Sequence, residues 1–239
     1  MQRFADVIKF LSVLLLLALP PWFSLVKRIR NRKKRRFLWT FVFIPYIIST
    51  TYTQNVLPFF AVLITLYFIK NQRDEEELFY LRSIKGQILY LIVLNIIFRL
   101  VVTLLSGIYA NILIKLGFKL QMQDVMKLFI EKPWKEVIYL SIMTIVFAPI
   151  LEEFIFRHIL YRYFSKVNKM FSAILTSFLF MLLHYNLAGS LSFFMFGLFN
   201  CYLYDKFGYK AAVFNHFLFN FTSVVLILIF KYYNIPITT

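Results

Sequence analysis

Residues 7–36, VIKFLSVLLLLALPPWFSLVKRIRNRKKRR, decide what kind of molecule this is. The apolar part, about Val7 to Val26, is long enough at ~1.5 Å per residue to cross ~30 Å of hydrocarbon. The run from Lys27 to Arg36 that follows it carries eight bases in ten residues. No small-residue cleavage site follows the apolar part, so it reads as a retained anchor and not as a removed signal peptide. Bases at this density mark the cytoplasmic end of a span, which places the loop in the cytoplasm and the N-terminus outside.

The rest of the chain extends that pattern. Apolar residues make up 61% of the 239, with 30 Phe and 15 Tyr, and the mean hydropathy is +0.72. These values lie far from the soluble norm and predict an all-α, polytopic transmembrane helical bundle in the cell membrane. The net charge of +16 lies mostly between hydrophobic stretches, where it serves topology and anionic lipid headgroups and not nucleic acid. The single cysteine, Cys201, has no partner in the chain and reads as a buried, inert thiol.

Residues 37–70 are too long for one upright helix. The polar interruption Thr50-Thr51-Tyr52-Thr53-Gln54-Asn55 divides them into two short spans or a re-entrant hairpin. The acids Asp74-Glu75-Glu76-Glu77 read as a solvated face of a second cytoplasmic loop. A span near Gln87 to Ser106 carries Arg99, facing other helices or reaching outward along its stem. The stretch from Lys115 to Trp134 places Phe118, Met122, Val125, Met126 and Phe129 at helical spacing, as for a helix lying in the outer interface, with a plain connector the equal alternative. Four further spans, near Trp134 to Tyr163, Phe171 to Asn186, Leu191 to Tyr204 and Ala211 to Phe230, bring the expected total to about eight. Both termini are then outside, although five lysines from Lys115 to Lys135 would be external as well.

Ionisable groups at membrane depth are costly and are functional-site hypotheses by default. Here they are Glu152-Glu153 with Arg157, then His184, then His216 with Asn220. Pro149 removes a helix donor just before the two acids and frees the carbonyl four residues earlier, that of Ile145, so a kink is expected there. Glu153 and Arg157 are four apart and share a face, so they can pair, which leaves Glu152 pointing elsewhere. Phe180 and His184 share a face in the same way, as do His216 and Asn220, with Asn215 a rival polar neighbour. His158, nearer the cytoplasmic boundary, reads as interfacial. A carboxylate and two imidazoles on three helices are what activating water or holding a metal requires. Counted from the cytoplasmic ends at ~1.5 Å per residue, these groups fall in roughly one layer, predicting a water-filled cavity open to the cytoplasm.

The order E-E-x-x-x-R (Glu152 to Arg157), F-x-x-x-H (Phe180 to His184) and H-x-x-x-N (His216 to Asn220) resembles the CPBP, or ABI, intramembrane proteases. That group includes the type II CAAX prenyl endopeptidases and bacteriocin-processing or immunity proteins. The resemblance covers roughly residues 130–230. It divides the chain into N-terminal transmembrane helices with the basic loop (1–130) and a CPBP-like catalytic core (131–239). It implies Glu152 as the general base that activates water with help from His184. It implies His216 and Asn220 as stabilisers of the oxyanion, and Glu153 and Arg157, with Phe180, as supports. Family usage also implies a zinc ion on Glu152, His184 and His216, while a metal-free glutamate mechanism accounts for the same residues.

The implied activity is an intramembrane endopeptidase acting on a membrane-associated peptide or protein near the cytoplasmic face. CAAX-type processing, bacteriocin maturation and self-immunity are all open as its setting. A non-catalytic membrane immunity or sensor scaffold that keeps the fold is the alternative, and a transporter using Glu152 and Arg157 is a third. Sequence does not address oligomeric state.

Overall fold

The computed structural model describes residues 2–53, 56–72 and 75–235, with side chains from Val7 onward. Among these residues the chain is helical, with no strand. The helices are α1 (residues 2–27), α2 (32–53), α3 (Val56–Gln72), α4 (Glu75–Tyr80), α5 (Ile88–Lys115), α6 (Asp124–Glu131), α7 (Trp134–Ser165), α8 (Lys169–Leu182), α9 (Ser190–Phe207) and α10 (Tyr209–Tyr232). The all-α membrane bundle expected from composition is thus present. By length and composition four segments can cross a bilayer: Val7–Lys27, Glu75–Lys115 through its apolar part α5, Trp134–Ser165 and Tyr209–Tyr232. Helices α3 and α8 are shorter apolar helices. Large apolar side chains such as Leu89, Leu100 and Leu104 on α5 are 75%, 66% and 68% exposed, a surface made for lipid.

The wide turns within these helices have a common cause. Residues Leu14–Ala18, Leu38–Val42 and Met143–Phe147 are π-helical, and each segment ends two or three residues before a proline, Pro20, Pro45 and Pro149 respectively. A wider turn makes room for a ring that would otherwise strike the preceding turn. In α7 this changes the expected consequence of Pro149. The amide of Ala148 bonds five residues back, to Met143. In that register the donor missing at Pro149 belongs to the carbonyl of Thr144, not of Ile145. Asn220 Nδ2 supplies it instead, at 2.8 Å. A fourth wide segment, Phe154–Tyr161, contains no proline and directly follows the two glutamates. Wide turns of that kind concentrate at functional sites.

Four expectations are corrected. Of the stretch after Lys115 only Asp124–Glu131 is helical: Gly117, at φ +84°, ends α5. Short α6 is fixed by burying Phe129 against Val137, Val224 and Ile227. His184 does not continue α8, which stops at Leu182. It lies in the following turn, with Tyr185 at φ +45°. The acidic block is not a uniformly solvated face. Glu77 is 5% exposed and meets Arg28, just after α1, at 2.5 Å and Arg162 of α7 at 2.8 Å. Glu75 and Glu76 are exposed, and Asp74, like Gln54 and Asn55 of the divided segment, lies outside the described residues. His158 is likewise no interfacial residue. It is 2% exposed, with Nδ1 2.9 Å from the Tyr204 hydroxyl and Nε2 3.8 Å from Glu77.

The core that positions the C-terminal half joins Leu151, Phe154, Phe156, Phe180, Phe196 and Tyr204, with Cys201 buried among them. Between apolar helices in lipid, close packing does the work that water exclusion does in soluble proteins, and small residues allow it. Asn168 caps α8 by accepting from the amide of Phe171 at 2.9 Å. From there α8 runs against α9 through Ser177 and Gly197. A Cβ built on Gly197 would lie 2.6 Å from the Ser177 Cβ and 2.8 Å from its Cα. Gly197→Ala is therefore expected to destabilise the bundle by about 1–3 kcal/mol through overpacking. Gly107→Ala on α5, where nothing lies within 4 Å, should be neutral or stabilising by about 0.5–1 kcal/mol. Thermal unfolding of the two variants in the same detergent measures the contrast.

Candidate active site

Helices α7, α9 and α10 and the turn after α8 bring the predicted site residues together around Glu153. Its carboxylate is fully buried. Oε1 accepts from His216 Nδ1 at 2.8 Å and from Asn200 Nδ2 at 2.9 Å. Oε2 lies 3.2 Å from Arg157 Nε, four residues on, as the spacing predicts. That approach is too oblique for a hydrogen bond. The three nitrogens of Arg157, also fully buried, make none among the described residues, so the pairing is electrostatic. The guanidinium also stands 5.0 Å from the centroid of the Phe180 ring, in cation–π range.

Glu152 points away from this pair. Its side chain keeps 16% of its surface exposed, and Oε2 is 4.0 Å from His216 Nε2. A carboxylate only accepts, so the proton on His216 Nδ1 is the one donated to Glu153, and a neutral ring turns the lone pair of Nε2 toward Glu152. The same reasoning fixes His184. Its Nδ1 donates to the carbonyl of Phe180 at 2.8 Å, leaving Nε2 as an acceptor, while its ring stacks on Phe193 at 3.8 Å. The centroid of Phe180 is 4.6 Å from that of His184 and 6.0 Å from that of His216, so one buried ring separates and orients both imidazoles. Asn220 uses one of its two amide hydrogens on Thr144 and keeps the other.

The donor set does not gather as a metal centre. Among the described residues no three or more His, Cys, Asp or Glu side chains are grouped to hold an ion. Two cavities, of about 670 Å³ beside α6 and the end of α10 and about 280 Å³ between α7 and α10, are lined by other residues than Glu152, His184 and His216. Further along α7, Phe154, Arg157, His158 and Tyr161 are all buried.

Two residues at the centre of this geometry have no counterpart in the three motifs. Asn200 bonds Glu153 directly, and Asn215 Nδ2 donates to Asn200 Oδ1 at 2.7 Å. A search for charges passes over them. The signal that finds them is an amide in the middle of an apolar run, Asn200 between Phe199 and Cys201.

Residues 133–222, which hold Glu152, Glu153, Arg157, His184, His216 and Asn220, match the family model described as Type II CAAX prenyl endopeptidase Rce1-like. This is the family that the three motifs resemble, and the match supports an intramembrane protease of the CAAX kind and a place in the membrane. No curated protein and no solved structure matches the chain.

Arg157 alone sets a positive charge beside the buried carboxylate, so its loss strands that carboxylate. Arg157→Leu is expected to cost about 3–5 kcal/mol, and Arg157→Leu combined with Glu153→Gln to recover much of it. A double-mutant cycle by denaturant titration in micelles reads the coupling; equal stability of the single and double variants would remove the ion pair from the account.

Proposed function

We propose that this chain is an intramembrane endopeptidase that hydrolyses a peptide bond in a membrane-associated peptide or protein, with Glu152 as the general base. The observation that carries the reading is the 4.0 Å gap between Glu152 Oε2 and His216 Nε2. Two hydrogen bonds of about 2.8 Å meeting near the tetrahedral angle span about 4.4 Å, so one water fits between the two acceptors. It gives one hydrogen to each. Glu152 takes its proton as the oxygen attacks the scissile carbonyl and later returns it to the departing amine. His216, held by Glu153, fixes the orientation of the water. His184, with Nε2 left to accept, is the second imidazole of this reading, and the spare amide hydrogen of Asn220 serves the oxyanion.

The cytoplasmic face as the side of attack, and CAAX-type processing, bacteriocin maturation or self-immunity as the setting, belong to this proposal. The basic loop from Lys27 to Arg36 and the family match support them. Hydrocarbon around the site favours a substrate that is itself anchored in or at the bilayer. The scaffold alternative keeps binding without hydrolysis.

Purified protein in liposomes, presented with membrane-anchored and leader peptides, tests the reading. Wild type should yield product. Glu152→Gln, which keeps size and loses the base, should lower the rate by about 10²–10⁴ with folding unchanged. His216→Ala should do the same. Peptide binding by wild type without any product would establish the scaffold instead.

A further inference from the structure

Behind the groups that face the water lies a chain of three amides. Asn95 on α5, Asn215 on α10 and Asn200 on α9 are 3%, 0% and 0% exposed. Asn95 Nδ2 donates to Asn215 Oδ1 at 2.8 Å and to its backbone carbonyl at 3.2 Å. Asn215 donates to Asn200 at 2.7 Å, and Asn200 to Glu153 Oε1 at 2.9 Å. The direction of these bonds is forced. An ionised carboxylate has nothing to donate, so Asn200 must turn its NH2 toward Glu153 and its oxygen toward Asn215. Asn215 must then present its own NH2, and Asn95 likewise. One N–H of each amide is thus directed along the chain toward a single oxygen.

Helix packing in lipid uses interhelical amide bonds, and any one pair here would need no further explanation. The whole chain does, because of what competes for its end point. Arg157 has three nitrogens without hydrogen bonds and sits 3.2 Å from the other oxygen of Glu153. A carboxylate rotated to face that guanidinium would gain a two-pronged pairing, and its Oε1 would leave Nδ1 of His216. What holds it in its present setting is the donor from Asn200, strengthened by the amides behind it, since bonds in series polarise one another at low dielectric.

We propose that Asn95, Asn215 and Asn200 form a one-way amide relay that positions Glu153 and, through it, the Nδ1–H tautomer of His216. The consequence for rate rests on the protease reading above; the consequence for the tautomer does not. Asn95 lies outside residues 133–222, so the relay makes α5 part of the site. All three asparagines are positioning residues, acting through Glu153.

The chain has three histidines, which suits 15N-histidine NMR of the full-length protein in lipid nanodiscs at about pH 8, above the usual imidazole range. In wild type the His216 ring should carry its proton on Nδ1. Asn200→Leu should shift it toward the Nε2–H form, and Asn95→Ala should shift it less and in the same sense. His184, bonded to a backbone carbonyl, should not move. In the peptide assay Asn200→Leu should lower kcat about tenfold or more at unchanged KM, a fraction of what acid–base catalysis supplies. A wild-type His216 protonated on Nε2 overturns the relay without recourse to any variant. So do folded Asn200→Leu and Asn95→Ala proteins whose His216 signals match wild type. The expected His216 shifts with no peptide cleaved by wild type would uphold the relay and remove the protease reading.

Discussion

A carboxylate shut away from solvent must be compensated on every side, and the C-terminal half is arranged around one such group, Glu153. Arg157 supplies opposite charge from the next turn of the same helix, and His216 and Asn200 supply hydrogen bonds from two others. Each partner fixes a helix. Asn200 can reach the carboxylate because, three residues before it, Gly197 lets α9 come down onto Ser177 of α8. His216 arrives with its inner nitrogen occupied and its outer one turned toward Glu152. The two adjacent glutamates thus divide the work, one fully enclosed and structural, the other partly open and aimed at the space where a water fits.

A second enclosed carboxylate governs the end of the bundle where α1, α4 and the end of α7 meet. Glu77 is met by Arg28, just after the first helix, and by Arg162 from the end of α7, with His158 beside them and the stacked rings of Tyr80 and Tyr204, 4.9 Å apart, close by. Charge pairing in a poorly hydrated setting is worth far more than on an open surface, so these contacts bind the N-terminal helices to the C-terminal half. Arg28 belongs to the basic run that marks topology, yet it is turned inward and satisfied by protein. The other bases of that run, exposed from Arg30 to Arg36, are the ones left for headgroups.

Much of this was legible in the sequence because burying a charge in hydrocarbon costs so much that the residue must have a reason to be there. That logic found Glu152, Glu153, Arg157, His184 and His216, and the four-residue spacing gave the Glu153–Arg157 pairing directly. It failed where cost is moderate or where geometry depends on another helix. Amides such as Asn95 and Asn200 are cheaper than charges and pass as packing residues. Glu77 looked solvated because its neighbours in sequence are acids, while its neighbours in space are cations brought from positions 28 and 162. The span read as far as Asn186 stops at Leu182, with His184 in a turn completed by Tyr185 in the αL conformation, although the Phe180 and His184 rings still meet at 4.6 Å.

The bond from Asn220 to the Thr144 carbonyl exists because Pro149 has no hydrogen to offer that oxygen. The two positions are therefore a single inherited choice although they lie on different helices. A descendant sequence that replaced the proline would regain an N–H to fill the carbonyl from within α7, and the amide at 220 would be released from its anchoring duty. One that lost the amide would keep the proline only by leaving an acceptor bare in lipid. Substitutions at 149 and 220 should thus be accepted together or in a fixed order, a constraint on how the sequence can drift that neither residue carries by itself.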